Sequence, residues 1–185
     1  MFRGLKTRAV KFWKSRGTAA VEFALLAPLM LAIYLGVIEL TSLLLVERKI
    51  IAATETVADL VSQESVITPD EVDDVITAAR RIFDPYDTAQ LTLNIASIRF
   101  NTDTGAPEIE WQRITSSSDG DSTILTQAVD LGKPGEGVVI AYLTYSHTPI
   151  FGILTGTVSL DEISFLRPRL APVVKCSTAS ATCSN

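Results

Sequence analysis

From Ala19 to Val46 the chain runs apolar, and only two charged residues, Glu22 and Glu39, interrupt it. As a helix, these roughly 28 residues reach on the order of 40 Å, more than a hydrocarbon core of about 30 Å requires. One helix of this kind can span a bilayer with length to spare. Its flanks decide its direction. Arg3, Lys6, Arg8, Lys11, Lys14 and Arg16 precede it with no acidic residue among them, whereas Glu47-Arg48-Lys49 on the far side is nearly balanced. The positive-inside rule therefore leaves the N-terminus in the cytoplasm and everything after about residue 47 outside. The run is too long for a cleaved secretory signal, and no small-residue cleavage site stands before Glu47. A mitochondrial presequence would not lead straight into a membrane span.

Charge narrows the function of the remainder. The net charge of −5 combines a basic leader with an acidic body: without the six leader cations, ten basic side chains face 21 acidic ones, leaving −11. Such a body does not bind nucleic acid, whose phosphates need Lys/Arg clusters. Cys176 and Cys183 lie in a Ser/Thr/Ala-rich tail that is outside the cytoplasm on this topology, which points to a small-loop disulfide. The tail offers no His, Asp or Glu to complete a metal site.

Helical periodicity continues from Glu47 to Ser65, with Ile50, Ala53, Val57, Leu60 and Val61 on one face, so the span is expected to extend as an amphipathic stalk. Thr68-Pro69-Asp70-Glu71 is a helix start with the pattern of a capping box, and Val72, Val75, Ile76, Ala79 and Phe83 form a stripe that ends at Asp84-Pro85. The acids Asp70, Glu71, Asp73 and Asp74 suit the helix N-terminus and a solvated face. From Gln90 the period becomes two, through Leu91, Leu93, Ile95, Ile98 and Phe100. A turn at 101–107 leads to a second strand, Glu108 to Ile114. Ser116 to Ser122 reads as a polar loop, Gly132 to Gly137 as a turn, Val138 to Ser146 as the strongest strand and Thr157 to Arg167 as the last.

The fold class is thus α+β: a transmembrane helix extended by a stalk, then a helix packed on a mostly antiparallel sheet of about four strands. The expected divisions are a basic leader 1–17, a transmembrane helix 18–46, a helical extension 47–66, an extracytoplasmic head 67–175 and a tail 176–185 bearing the disulfide.

Catalytic chemistry finds no support. His147, the single histidine, sits near a strand end without a nucleophile motif and reads as a surface or packing residue. Asp119-Gly120-Asp121 lacks the downstream Glu of a calcium loop and is better explained as a turn. Gly132 to Gly137 has the wrong order for a phosphate cradle. No enzyme activity, cofactor, metal or small-molecule substrate is expected.

The segment Arg16-Gly17-Thr18-Ala19-Ala20-Val21-Glu22-Phe23 resembles the processing site of type IV pilin-like proteins. Extended through Ala24-Leu25 and Pro28 into the apolar run, it resembles the TadE-like family of tight-adherence (Flp-type) systems, with Thr144-Tyr145, Thr148-Pro149, Phe151 and Arg167-Pro168-Arg169 as further matching features. The resemblance implies a pilin-like fold and a membrane-embedded prepilin peptidase that cuts after Gly17 on the cytoplasmic side. Thr18 then becomes the first residue, Glu22 the fifth, and Phe23 completes the Glu-Phe pair. It also implies an inner-membrane, single-pass subunit that enters a pilus and serves its assembly, adhesion and surface colonisation. The expected partners are sister subunits and the pilus assembly platform.

Independently of that resemblance, a carboxylate at the head of a span is costly unless it meets a partner or water. Cleavage before Thr18 would create an α-amine one turn from Glu22, and this pair would set axial register between packed helices. Glu22 resting in the headgroup region is the simpler alternative. Pro28 either adds flexibility or is tolerated near a helix end. Glu39 either pairs with a partner helix or lies at the outer interface. A permanently anchored binding or sensory module is the competing function, and an anchored hydrolase a weaker third.

Overall fold

The computed structural model describes residues 8–115, 121–152, 156–178 and 183, with the side chains of 8–16 and 121–123 left aside. Helix α1 (Arg8–Ser62) is followed by β1 (Val66–Ile67), α2 (Pro69–Ile82), β2 (Leu91–Phe100) and β3 (Pro107–Ile114). Then come α3 (Asp121–Ala128), β4 (Gly137–His147), β5 (Val158–Leu166) and β6 (Lys175–Cys176). The chain divides into two compact units, one of Met1–Ser42 with Pro149–Gly156, the other of Leu43–Thr148 with Thr157–Asn185. The long apolar helix, the further helices and the four-stranded antiparallel sheet give the α+β architecture with an N-terminal membrane-length helix.

In the first unit α1 is almost bare from Gly17 to Tyr34. Val21, Phe23, Leu25, Leu29, Ile33 and Tyr34 are all exposed, around the whole circumference of the helix. Water would oppose such a surface, and lipid would not. In the second unit the same helix becomes one-sided: Val46, Ile50, Ala53, Val57, Ala58 and Val61 are fully buried or nearly so. Leu60, expected on this face, is instead exposed, and Ala58 takes its place. The helix ends at Ser62, three residues before the end of the sequence periodicity at Ser65.

Helix α2 begins with the expected cap. The Thr68 hydroxyl oxygen accepts from the Glu71 N–H, while the Glu71 carboxylate accepts from the Thr68 N–H at 2.8 Å and from its hydroxyl at 2.9 Å. Val72, Val75, Ile76 and Ala79 point inward with Phe83.

The sheet order is β3-β2-β4-β5, antiparallel throughout. Each face supplies a different core. Leu91, Leu93 and Ile95 of β2 join Val139, Ala141, Leu143 and Tyr145 of β4 against the α1 and α2 residues above. Ala96, Ile98 and Phe100, which have the opposite parity, join Val138 and Ile140 against Ile124 and Ala128 of α3. Helix α3 corrects the sequence reading, because Asp121 and Ser122 begin a helix where a polar loop to Ser122 was expected. Asp119 and Gly120 lie outside the described residues. The helix is short, and its few apolar positions give little periodicity to detect. It covers only one end of the sheet, so the buried parity of β2 changes midway along the strand.

Strand β3 carries a second departure from simple alternation. Ser97 pairs with Trp111 and Ile98 with Ile109, so Glu110 is an extra residue on β3. A bulge of this kind reverses the facing of everything beyond it. Ile109 consequently packs toward α3, while Trp111 enters the larger core and donates its indole N–H to the Val174 carbonyl at 3.0 Å. That bond holds the C-terminal strap, where β6 runs parallel to β1. Gly137 opens β4 where this strap passes close by: a Cβ there would meet the Pro172 carbonyl oxygen at 2.7 Å.

Trp111→Ala should lower unfolding free energy by about 3–5 kcal/mol, and Ile109→Ala by clearly less, in urea titrations of the full chain in detergent. Equal losses would contradict the opposite facing of these two residues. At the cap, Thr68→Ala should cost about 1 kcal/mol. The Thr68 N–H first, and its hydroxyl second, hold the Glu71 carboxyl below its ordinary value. The stability this adds is therefore present above the unfolded-chain value and disappears as pH falls through the lower folded one. Glu71→Gln should remove that part of the acid dependence in pH-resolved melting.

Candidate functional site

Gly17, Thr18, Glu22 and Phe23 lie on one continuous helix, and all are exposed. A Cβ at Gly17 would meet nothing within 4 Å, so approach to that backbone is sterically open. Glycine also weakens a helix locally, by roughly 1 kcal/mol relative to alanine. Thr18 and Glu22 are four residues apart and share a face, separated by about 6 Å along the axis. Phe23 projects about 100° away from Glu22 around the helix. Pro28 stays within the helix, and its missing N–H leaves the Ala24 carbonyl without its usual intrahelical donor.

Farther along α1, Glu39 is buried. Thr41 and Ser42 return their hydroxyls to the backbone carbonyls of Val37 and Glu39 at 2.8 and 3.0 Å. These two hydroxyls are satisfied by the helix itself, as an apolar surrounding demands.

A second set of residues fastens the stalk part of α1 to the head. Lys49 donates to the carbonyls of Ile82 and Asp84, each at 2.7 Å, and so closes the C-terminal end of α2 with a cation. At the end of α1, the Arg169 N–H donates to the Ser62 carbonyl at 2.9 Å, and its guanidinium pairs with Asp59. Arg113 bonds Asp73 of α2 at 2.7 Å, and Arg167 meets Glu136 at 3.2 Å. Tyr145 packs on Phe83 with ring centroids 5.2 Å apart. Burial first, then the nearby Asp87 and Tyr86, push its hydroxyl above the ordinary tyrosine value. Cys176 and Cys183 form a disulfide, and Cys183 is buried in the larger core.

The sequence marked Lys49 as a flanking charge and Arg167-Pro168-Arg169 as a matching motif. Their roles as clamps depend on partners 31 to 110 residues away, which no local pattern reveals. His147 is buried at the end of β4 opposite Val158. Among the described residues no group of three or more His, Cys, Asp or Glu is arranged to hold a metal ion. A groove of about 330 Å³ runs beside Leu60, Ile67 and Val75, with Glu64, Glu71 and Asp74 at its rim. It offers an apolar floor and negative edges, and no nucleophile.

The architecture is that of an α+β head carried on a single N-terminal helix long and apolar enough to cross a membrane, consistent with single-pass anchoring. Residues 17–59 match the family model described as TadE-like protein. No curated protein and no solved structure matches the chain. The matched segment is thus similar to that of proteins associated with tight-adherence (Flp-type) pili.

Lys49→Met should destabilise the head by about 1 kcal/mol, because two carbonyl acceptors, one half-buried and one exposed, lose a charged donor. The exposed Arg48→Met should stay within about 0.5 kcal/mol of the parent. Urea midpoints of the two variants in detergent check this, and equal midpoints would remove the clamp.

Proposed function

We propose that the protein is a minor pilin-like subunit of a Flp-type pilus, made as an inner-membrane precursor and cut by a prepilin peptidase between Gly17 and Thr18. The mature subunit joins sister subunits through its apolar helix, under the direction of the assembly platform, and serves adhesion and surface colonisation. One observation carries this reading: the TadE-like match begins at Gly17 and covers a helix that is bare through the span and packed in the stalk. A helix of that kind has two compatible environments, lipid and a bundle of like helices, and a pilin-type subunit uses both in turn.

Glu22 sets the register in this scheme. Its carboxylate leaves the headgroup region when the helix enters the fibre, and it then needs a positive partner. The α-amine of Thr18, on the same helix or a neighbouring one, supplies it. Any other axial stagger buries an unpaired charge, so assembly is selective for one. Pro28 eases extraction by weakening the helix one hydrogen bond beyond this point.

Mass spectrometry of chains taken from membranes and from filaments tests the processing step, with a mature N-terminus at Thr18 expected in filaments. Glu22→Ala and Gly17→Trp should abolish filament incorporation and leave the melting of the head unchanged. Filaments that contain chains with residues 1–17 intact would overturn the reading.

A further inference from the structure

Outside α1, Ile150 and Phe151 are the only adjacent large apolar side chains that are both exposed among the described residues, at 76% and 47%. They lie in the connection between β4 and β5. No Asp, Glu, Lys or Arg occurs from Gly137 to Leu160, so no charge accompanies them. A lone exposed apolar residue needs no explanation, but a paired, uncharged tip does. Pro149–Gly156 also forms one compact unit with the part of α1 that ends at Ser42. Counting about twenty residues from Ala19 across the hydrocarbon core brings the helix to its outer boundary near Ile38. Glu39, Thr41 and Ser42 follow at once, which is where polar groups return.

We propose that the Pro149-Ile150-Phe151 tip is a second membrane foothold, inserted shallowly into the outer headgroup and acyl boundary of the bilayer that α1 spans. The inference rests on the spanning assignment of α1 and not on pilus assembly. Lipid is the occupant that fits. The tip is uncharged, it belongs to the same unit as the membrane-length helix, and the level at which α1 leaves the hydrocarbon is where an interfacial apolar pair is stable. Depth is limited by the backbone. An irregular loop cannot enter the hydrocarbon core without stranding its N–H and C=O groups, so the side chains reach inward while the chain stays at headgroup level. The tip thereby gives the β4–β5 connection its own hold on the membrane surface, and withdrawing the subunit from the bilayer requires this contact to be released along with the helix.

The test uses the full chain in vesicles of phosphatidylethanolamine and phosphatidylglycerol. Both native cysteines are in the disulfide, so a thiol introduced by Ile150→Cys is the only one available to an environment-sensitive fluorophore. Phe151→Cys provides an independent second site, Asp103→Cys in the exposed β2–β3 turn a water control, and Leu31→Cys a control for the span. The expected result at 150 and 151 is a blue-shifted emission, quenching by spin-labelled lipid that is strongest when the label lies near the headgroup, and loss of the iodide quenching seen at 103. Iodide quenching at 150 and 151 equal to that at 103 would overturn the foothold. Protection from both quenchers, which indicates burial in protein, would overturn it equally. If the 31 site escapes lipid quenching, the spanning assignment itself fails, which separates that outcome from failure of the foothold.

Discussion

Helix α1 has to be soluble in two media, and the rest of the molecule is arranged around that requirement. Through the span, apolar side chains cover its whole circumference, which only lipid or other apolar helices accept. From Val46 onward the apolar residues retreat to one face, with Glu47, Arg48, Glu55 and Asp59 elsewhere. No break in the backbone marks the transition. The change lies entirely in the side-chain pattern, so the medium switches while the hydrogen-bonded helix continues.

The head supplies what the one-sided part of the helix needs. Six stalk side chains from Val46 to Val61 enter a core shared with α2 and one face of the sheet. Lys49 joins the helix to the end of α2, and the Arg169 N–H closes its last turn. Ion pairs such as Arg169 with Asp59 lie at the surface and contribute at most about 1 kcal/mol each. Buried area and the carbonyl-directed bonds therefore dominate. The other face of the sheet is served by α3, which allows β2 to be apolar on both sides as a central strand.

Most of this was legible from local patterns. The apolar run, the Thr68 cap and the alternation of β4 each announce themselves within a dozen residues, and the Gly17 to Phe23 segment was enough to suggest the TadE-like resemblance. The features that escaped are those decided by distant partners. Helix α3 owes its stability to Ala96, Ile98 and Phe100, not to its own propensity. The Glu110 bulge is invisible in Glu108 to Ile114, where simple alternation would place Ile109 and Trp111 on the same face. Lys49 looked like a topogenic flank, and only its proximity to Ile82 and Asp84 gives it a structural role.

The central claim is that one helix changes solvent between about residues 38 and 46 while its backbone continues. Reactivity of single cysteines with a membrane-impermeant maleimide, scanned along α1 in vesicles, measures this directly. From 20 to 40 every position should be protected whatever its face; beyond that, Glu47, Glu55 and Asp59 positions should react while those of Val46, Ile50, Ala53 and Val57 stay protected. A helical period of reactivity that extends back through residues 20 to 40 would place that segment against water on one side and contradict the account.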